Sequence, residues 1–303
     1  LTPSSDAARH RRGLAITGVG GLALSFDIPL IRSADGEVWS ILAVRSLSTF
    51  AVAIAAWFFI NRVLRRRIAL IPGKAGLIAG LFYGINSFTF LLAVFNTSTA
   101  NVVFILAFTS MFAAILSWIF LKERPSNATL LTMAIMLLGV GVIVQDGLES
   151  GHLFGDAMAA CSAFLLASAI TISRADGRDM ALVPLTTAIF PALAALMLLP
   201  ASGIAIAEPG YILFNGLVMI PVAFFCLATG PRYLSAPEVG MFYLLETILA
   251  PIWVWVVFSE MPTLQTVIGG TILILALLGH SLWQMRSKAA KARLPCAELP
   301  FTG

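Results

Sequence analysis

The chain has 303 residues, of which 59% are hydrophobic and only 11% charged, with a formal net charge of +4. An ordinary soluble domain carries about 45–50% apolar and about 25% charged residues, so this composition excludes a water-facing outer shell. The basic excess points to nucleic acid or to membrane topology according to where the charges lie.

In chain order, Arg9, Arg11 and Arg12 precede a first apolar run at 13–31. A basic stretch, an apolar run and Ala23-Leu24-Ser25 together have the outline of a signal peptide, but this run has a partner later in the chain, which argues for its retention. Further runs follow at 38–60, 75–95, 99–121, 127–145, 153–173, 181–199, 210–228, 235–258 and 263–284. Each is close to the roughly 20 residues that cross a bilayer as a helix. Stretches such as Ala113–Leu121 and Ile272–Leu278 do not alternate apolar with polar, as a membrane strand would. The expected fold is therefore an all-α membrane protein of ten transmembrane helices, with tails at 1–12 and 286–303.

Charges within these runs are costly in lipid, by about 2.5–3.5 kcal/mol on insertion scales, so each asks for a reason. Asp27 and Arg45 stand in the first two runs at depths that differ by only about 3 Å at 1.5 Å per residue, so they can pair. They read as a structural pair between neighbouring helices, or as an outer gate or carboxylate-binding group. In the third run, Gly76, Gly80 and Gly84 make one smooth packing face, while Tyr83 and Asn86 place polar atoms toward mid-membrane. Phe104 and Phe108 in the fourth run, with Tyr243 in the ninth, complete a candidate aromatic pocket or simply pack. Pro184, Pro191, Pro221 and Pro251 interrupt helical hydrogen bonding as hinges or as static bends. Ser235-Ala236-Pro237-Glu238 has the spacing of a capping box, repeated by Ser98-Thr99-Ala100-Asn101. Glu246 lies about 11 residues into the ninth run, roughly 17 Å deep. It reads as a site for a substrate ammonium or a proton, or as a hydrogen-bonded structural carboxyl. Cys161 and Cys226 read as small buried hydrophobes, and their spacing to Cys296 fits no metal motif.

Placing the N-terminus in the cytoplasm puts 17 of the 19 Lys and Arg residues on that side, leaving Arg32 in an outer loop and Arg45 within a run. Basic residues concentrate on the cytoplasmic side, so the positive charge is a topology signal. The Arg62–Arg67 loop also suits anionic lipid headgroups.

The chain also repeats. At an offset of 137, Ser98 falls on Ser235, Trp118 on Trp255, Glu123 on Glu260 and Pro125 on Pro262; at 142, Gly13 falls on Gly155 and Arg32 on Arg174. The halves 13–145 and 155–285 each hold five runs, an odd number, so the second is inserted upside down. Inverted repeats are a device of secondary transporters, with the substrate near the midplane between the halves. The two copies, containing Lys122-Glu123-Arg124-Pro125 and Ser259-Glu260-Met261-Pro262, resemble the EamA family of the drug/metabolite transporter superfamily. Within it the chain looks like the YddG-type exporters of aromatic and other amino acids. Ala276 and Leu278 depart from the pattern of Gly139 and Gly141 in the first copy.

The resemblance implies an exporter of small amphipathic metabolites in a bacterial cytoplasmic membrane, working by alternating access. The partners expected are a small-molecule substrate and membrane lipid, with no cofactor, nucleic acid or nucleotide, and with a single chain as the working unit. A multidrug, lipophilic-cation or lipid carrier needs only a greasy cavity and Glu246, and stays as the alternative. A polyanion carrier would need more intramembrane cations than Arg45. The sequence has no GxxxxGK[ST], HExxH or GxSxG motif, which argues against ATP-driven transport and against an enzyme.

Overall fold

Caps and prolines set the helix boundaries in the computed structural model, which describes residues 3–63, 65, 68–122, 124–178, 180–229, 233, 236–259 and 261–293. The first apolar run is two helices, α1 (Pro3–Ser25) and α2 (Asp27–Ser33), separated at Phe26. Pro29 accounts for the break: its ring clashes with the carbonyl four residues back, at Ser25. Glu37 then caps α3 (Val38–Arg62), its carboxylate accepting from the Ser40 N–H at 2.9 Å. After α4 (Gly73–Asn96), Ser98 caps α5 (Thr99–Leu106) by accepting from the Asn101 N–H at 3.2 Å. A turn at Ala107–Phe108 leads into α6 (Thr109–Leu121), followed by α7 (Asn127–Ser150) and α8 (Leu153–Asp176).

The second half is more interrupted. α9 (Val183–Thr186) and α10 (Ile189–Leu198) are split at Thr187–Ala188, where Pro191 meets the carbonyl of Thr187, again four residues back. α11 (Pro209–Phe214) passes through a π-helical turn, Asn215–Met219, into α12 (Ile220–Thr229). Pro221 lacks the N–H that would bond Leu217, which lies inside that turn. α13 (Ala236–Phe258) runs on through Pro251, and α14 (Leu264–Arg293) is the last described helix. Its helix extends into the segment read from sequence as a tail, where Ala, Lys and Arg are good helix formers. Ser235 and the Glu238 side chain lie outside the described residues, so the second capping box does too.

Among the described residues the architecture is all-helical, with one antiparallel bridge, Gly36 to Ile206, tying two connecting loops. Six segments are long and apolar enough to cross a membrane: Arg11–Ser33, Val38–Arg62, Gly73–Asn96, Thr99–Leu121, Leu153–Asp176 and Pro209–Leu227. Shorter apolar helices cover Asn127–Ile143, Val183–Leu198, Leu245–Phe258 and Leu264–His280. Large apolar side chains lie on the outside, Leu138 at 70% and Met197 at 86% exposure, as lipid permits and water does not. Cys161 shares that outward face and is exposed, contrary to the buried reading. The soluble-protein rule for cysteine fails because the outside of this bundle is as apolar as its core.

The repeat shows in the backbone. Left-handed residues recur at the two sequence offsets: Lys122 (φ 61°) with Ser259 (φ 56°), and Asp35 (φ 42°) with Gly177 (φ 70°). Packing obeys the same exchange. Swapping halves turns the α4–α8 pair into the α12–α1 pair and the α6–α8 pair into the α13–α1 pair, and all four occur. The α7–α14 and α3–α10 pairs map onto themselves. Helices in lipid associate through close backbone approach at small residues. Accordingly, a Cβ on Gly139 would meet the Gly269 carbonyl at 2.9 Å, and a Cβ on Gly80 would collide with Thr187. Gly80 and Gly84 of the smooth face of α4 thus pack against the second half, while Gly76 lies against Ile71 and Pro72 just before the helix.

Candidate functional site between the halves

Asp27 opens α2 directly after the break, where a carboxylate suits the positive end of the helix dipole. Arg45, on α3, donates from Nη2 to both of its oxygens, at 3.0 and 2.8 Å, with the two side chains only 11% and 5% exposed. Arg45 Nε donates to Asn215 Oδ1 at 3.0 Å, and Asn215 Nδ2 donates to Asp27 Oδ1 at 2.7 Å. One amide at the head of the π-helical turn therefore joins acid and cation of the first half to the second. Gly216 permits the approach, since a Cβ there would meet Ser48 and the Arg45 carbonyl. Thr49 Oγ1 donates to the Gly216 carbonyl at 3.1 Å, and the guanidinium sits over the Phe90 ring at 5.7 Å.

Glu246 enters from α13, half-buried and within electrostatic reach of both Asp27 and Arg45. It makes no hydrogen bond or ion pair with the described residues. α13 is held against the first segment by stacking of Trp253 on Phe26, at 4.9 Å between ring centroids, and by the Trp253 indole N–H donating to Ser25 Oγ at 3.1 Å. A Cβ on Gly21 would run into the Phe242 carbonyl, so these two backbones touch.

Arg45 pairs with Asp27, Glu246 stands within electrostatic reach of both, and the other described candidates lie elsewhere. Asn86 accepts from Ser162 Oγ of α8 at 2.6 Å, and the Tyr83 hydroxyl bonds Ser173 farther along the same helix. Phe104 is buried against Gly270 of α14. Phe108 is buried at the start of an edge-to-face series with Phe112 and Phe164, at 6.2 and 5.6 Å. The Tyr243 side chain lies outside the described residues. Of two described clefts, one is lined by Trp118, Ile119, Lys122 and Arg124, the other by residues including Ser98, Thr99, Pro251 and Pro262. None of the described sequence candidates lines either.

Two groups escaped the sequence reading. Asn215 is a lone amide in an apolar run, and its signal is Pro221 six residues on, which displaces the local hydrogen bonding. The other group is a buried polar cluster where α4, α5, α8 and α14 meet. Asp156 Oδ1 accepts from Thr97 Oγ1 at 2.7 Å and from Asn101 Nδ2 at 3.3 Å, while Thr266 Oγ1 donates to Asn101 Oδ1 at 2.9 Å. Arg32 Nη2 donates nearby to the Thr97 carbonyl at 3.0 Å. Like the first site, this cluster bridges the two halves.

Outward-facing apolar helices long enough to cross a bilayer, and a packing repeated in both halves, define an integral membrane protein built from two like units. The chain belongs to the EamA-like transporter family, whose profile matches it twice, over residues 13–145 and 153–282. No curated protein matches it in sequence. A solved crystal structure, described only as that of a protein, has the same fold. It is 19% identical, superposes with a TM-score of 0.63, and the alignment covers 92% of this chain and 99% of that one.

Proposed function

We propose that this protein is a secondary transporter that moves small amphipathic metabolites, amino acids first among them, out of a bacterial cell. Ten spans carry it, the six long apolar segments and the four shorter ones, with both termini cytoplasmic. The distribution of Lys and Arg supports that orientation. Alternating access is the reading that fits two inverted halves with charged groups at their interface.

The observation that carries the proposal is Glu246 within electrostatic reach of the Asp27–Arg45 pair. With all three ionised the group holds two negative charges and one positive, a net of −1 that a substrate cation would complete. Arg45 spends Nε and Nη2 on Asn215 and Asp27, leaving Nη1 for a carboxylate. A zwitterionic amino acid has both ends: its ammonium suits Glu246 and its carboxylate suits Arg45. Asp27 and Arg45 act in this reading as the gate and orienting pair, with Tyr83, Asn86, Phe104, Phe108 and Tyr243 along the substrate's path. A lipophilic-cation carrier is the second reading, favoured if the net negative charge matters and Nη1 does not.

Uptake into proteoliposomes, run against a panel of amino acids and lipophilic cations, separates them. Glu246→Gln keeps shape and removes charge, and it is expected to fold and to lose most amino-acid transport. Wild-type amino-acid rates in that variant would make Glu246 structural. Lipophilic cations moving while amino acids do not would select the second reading.

A further inference from the structure

We propose that the cleft at the end of α6 binds the headgroup of an anionic phospholipid. It holds about 480 Å³, within the range of roughly 300–1,000 Å³ usual for ligand sites. Trp118, Ile119, Lys122 and Arg124 line it, all on the outer surface, with Trp118 47% and Ile119 53% exposed. These residues belong to one half and one turn, so the cleft is apart from the site between the halves.

Its chemistry changes along its length. Ile119 and the indole offer an apolar wall, and the helix then ends. Lys122 takes a left-handed conformation (φ 61°), with its N–H on the Ser117 carbonyl, and the chain turns so that both cations face the same cleft. An apolar wall of Trp118 and Ile119, followed past the helix end by two cations, matches acyl chain and phosphate, and an indole is a usual side chain at headgroup level. A guanidinium binds phosphate oxygens in pairs and an ammonium adds a point charge, while both side chains reach from hydrocarbon to headgroup depth along their methylenes.

Topology alone would account for Lys and Arg at a cytoplasmic turn, but the molecule contains its own comparison. At an offset of 137, Trp118, Ile119, Lys122 and Arg124 become Trp255, Val256, Ser259 and Met261. Ser259 has the same left-handed backbone, φ 56°, and Trp255 and Val256 are likewise exposed. The second turn keeps the apolar wall and lacks both cations. Because the halves are inverted, the two turns lie at opposite membrane faces. Calling the charged one cytoplasmic rests on the orientation proposed above; the binding does not.

Native mass spectrometry of the detergent-purified full chain, titrated with phosphatidylglycerol or phosphatidylcholine, tests this. Wild type is expected to take up one phosphatidylglycerol in preference to phosphatidylcholine, with no competition from inorganic phosphate. Lys122→Gln/Arg124→Gln should weaken that lipid about thirtyfold, roughly fivefold for each cation. Arg11→Gln/Arg12→Gln, which removes the same charge from another exposed basic site, should leave it bound. Ser259→Lys/Met261→Arg should add a second phosphatidylglycerol. Equal uptake of the two lipids by wild type, a loss in the Lys122/Arg124 variant no larger than in the Arg11/Arg12 variant, or no gain at the second turn would each overturn the proposal.

Discussion

Removing Asp27 should destabilise the protein far more than removing the whole charged pair. Asp27→Ala deletes two hydrogen bonds from Arg45, at 3.0 and 2.8 Å, and one from Asn215 at 2.7 Å. It also leaves a guanidinium that is only 11% exposed beside one nearby carboxylate, Glu246, that it does not touch. Breaking a buried pair by taking one partner costs about 3–5 kcal/mol, whereas replacing both with well-packed apolar groups is often close to neutral. At about 2 °C per kcal/mol for a chain of this size, the single variant should lose about 6–10 °C in apparent melting temperature. Asp27→Ala/Arg45→Met should recover most of that. Thermal melts followed by size-exclusion chromatography in detergent read both effects. A double variant as unstable as the sum of its single variants would refute the reasoning, because the cost would then lie in packing and not in an uncompensated charge.

Glu246 is expected to make cation transport depend on pH, with binding weaker at low pH because a protonated carboxyl cannot hold an ammonium. Glu246→Gln should flatten that profile in the same proteoliposomes. Gly80→Val should cost about 1–3 kcal/mol by forcing a side chain into Thr187, while Gly141→Ala, whose new Cβ meets nothing within 4 Å, should be neutral or slightly stabilising. In a background lacking the native cysteines, Lys74→Cys should react with a membrane-impermeant maleimide only from the cytoplasmic side and Ala201→Cys only from outside; the reverse pattern inverts the proposed orientation.

The long segments were legible because hydropathy integrates over many residues: the run read at 38–60 is the helix Val38–Arg62, and that at 75–95 is Gly73–Asn96. One-turn irregularities disappear in the same averaging. Nothing in the apolar run 99–121 marks the turn at Ala107–Phe108. Pro29, Pro191 and Pro221 do mark three of the four interruptions, since each disturbs the carbonyl four residues before it, and the two in the second half had been read as hinges or bends. The pairing of Asp27 with Arg45 was legible because depth alone decides it for neighbours in adjacent segments. Asn215 was hidden because its partner Arg45 lies 170 residues away and an amide carries no charge to betray itself. Tyr83 and Asn86 were placed at useful depth, but the face each occupies depends on how α4 rotates against α8, which the glycine face only partly fixes.

The turn at Asn215–Met219 carries one residue more than a regular helix needs. Absorbing that residue would rotate the chain on one side of it by about 100° about the helix axis. The Asn215 amide would swing out of line with Asp27 and Arg45 together. The seat that Gly216 occupies against Ser48 and the Arg45 carbonyl would pass to a neighbour bearing a Cβ, which does not fit. The Thr49 hydroxyl would lose its acceptor in the same motion. An acid and a cation on the first half are thus held by the Asn215 amide and a hydroxyl by the Gly216 carbonyl, so that one rearrangement of this turn would release all three.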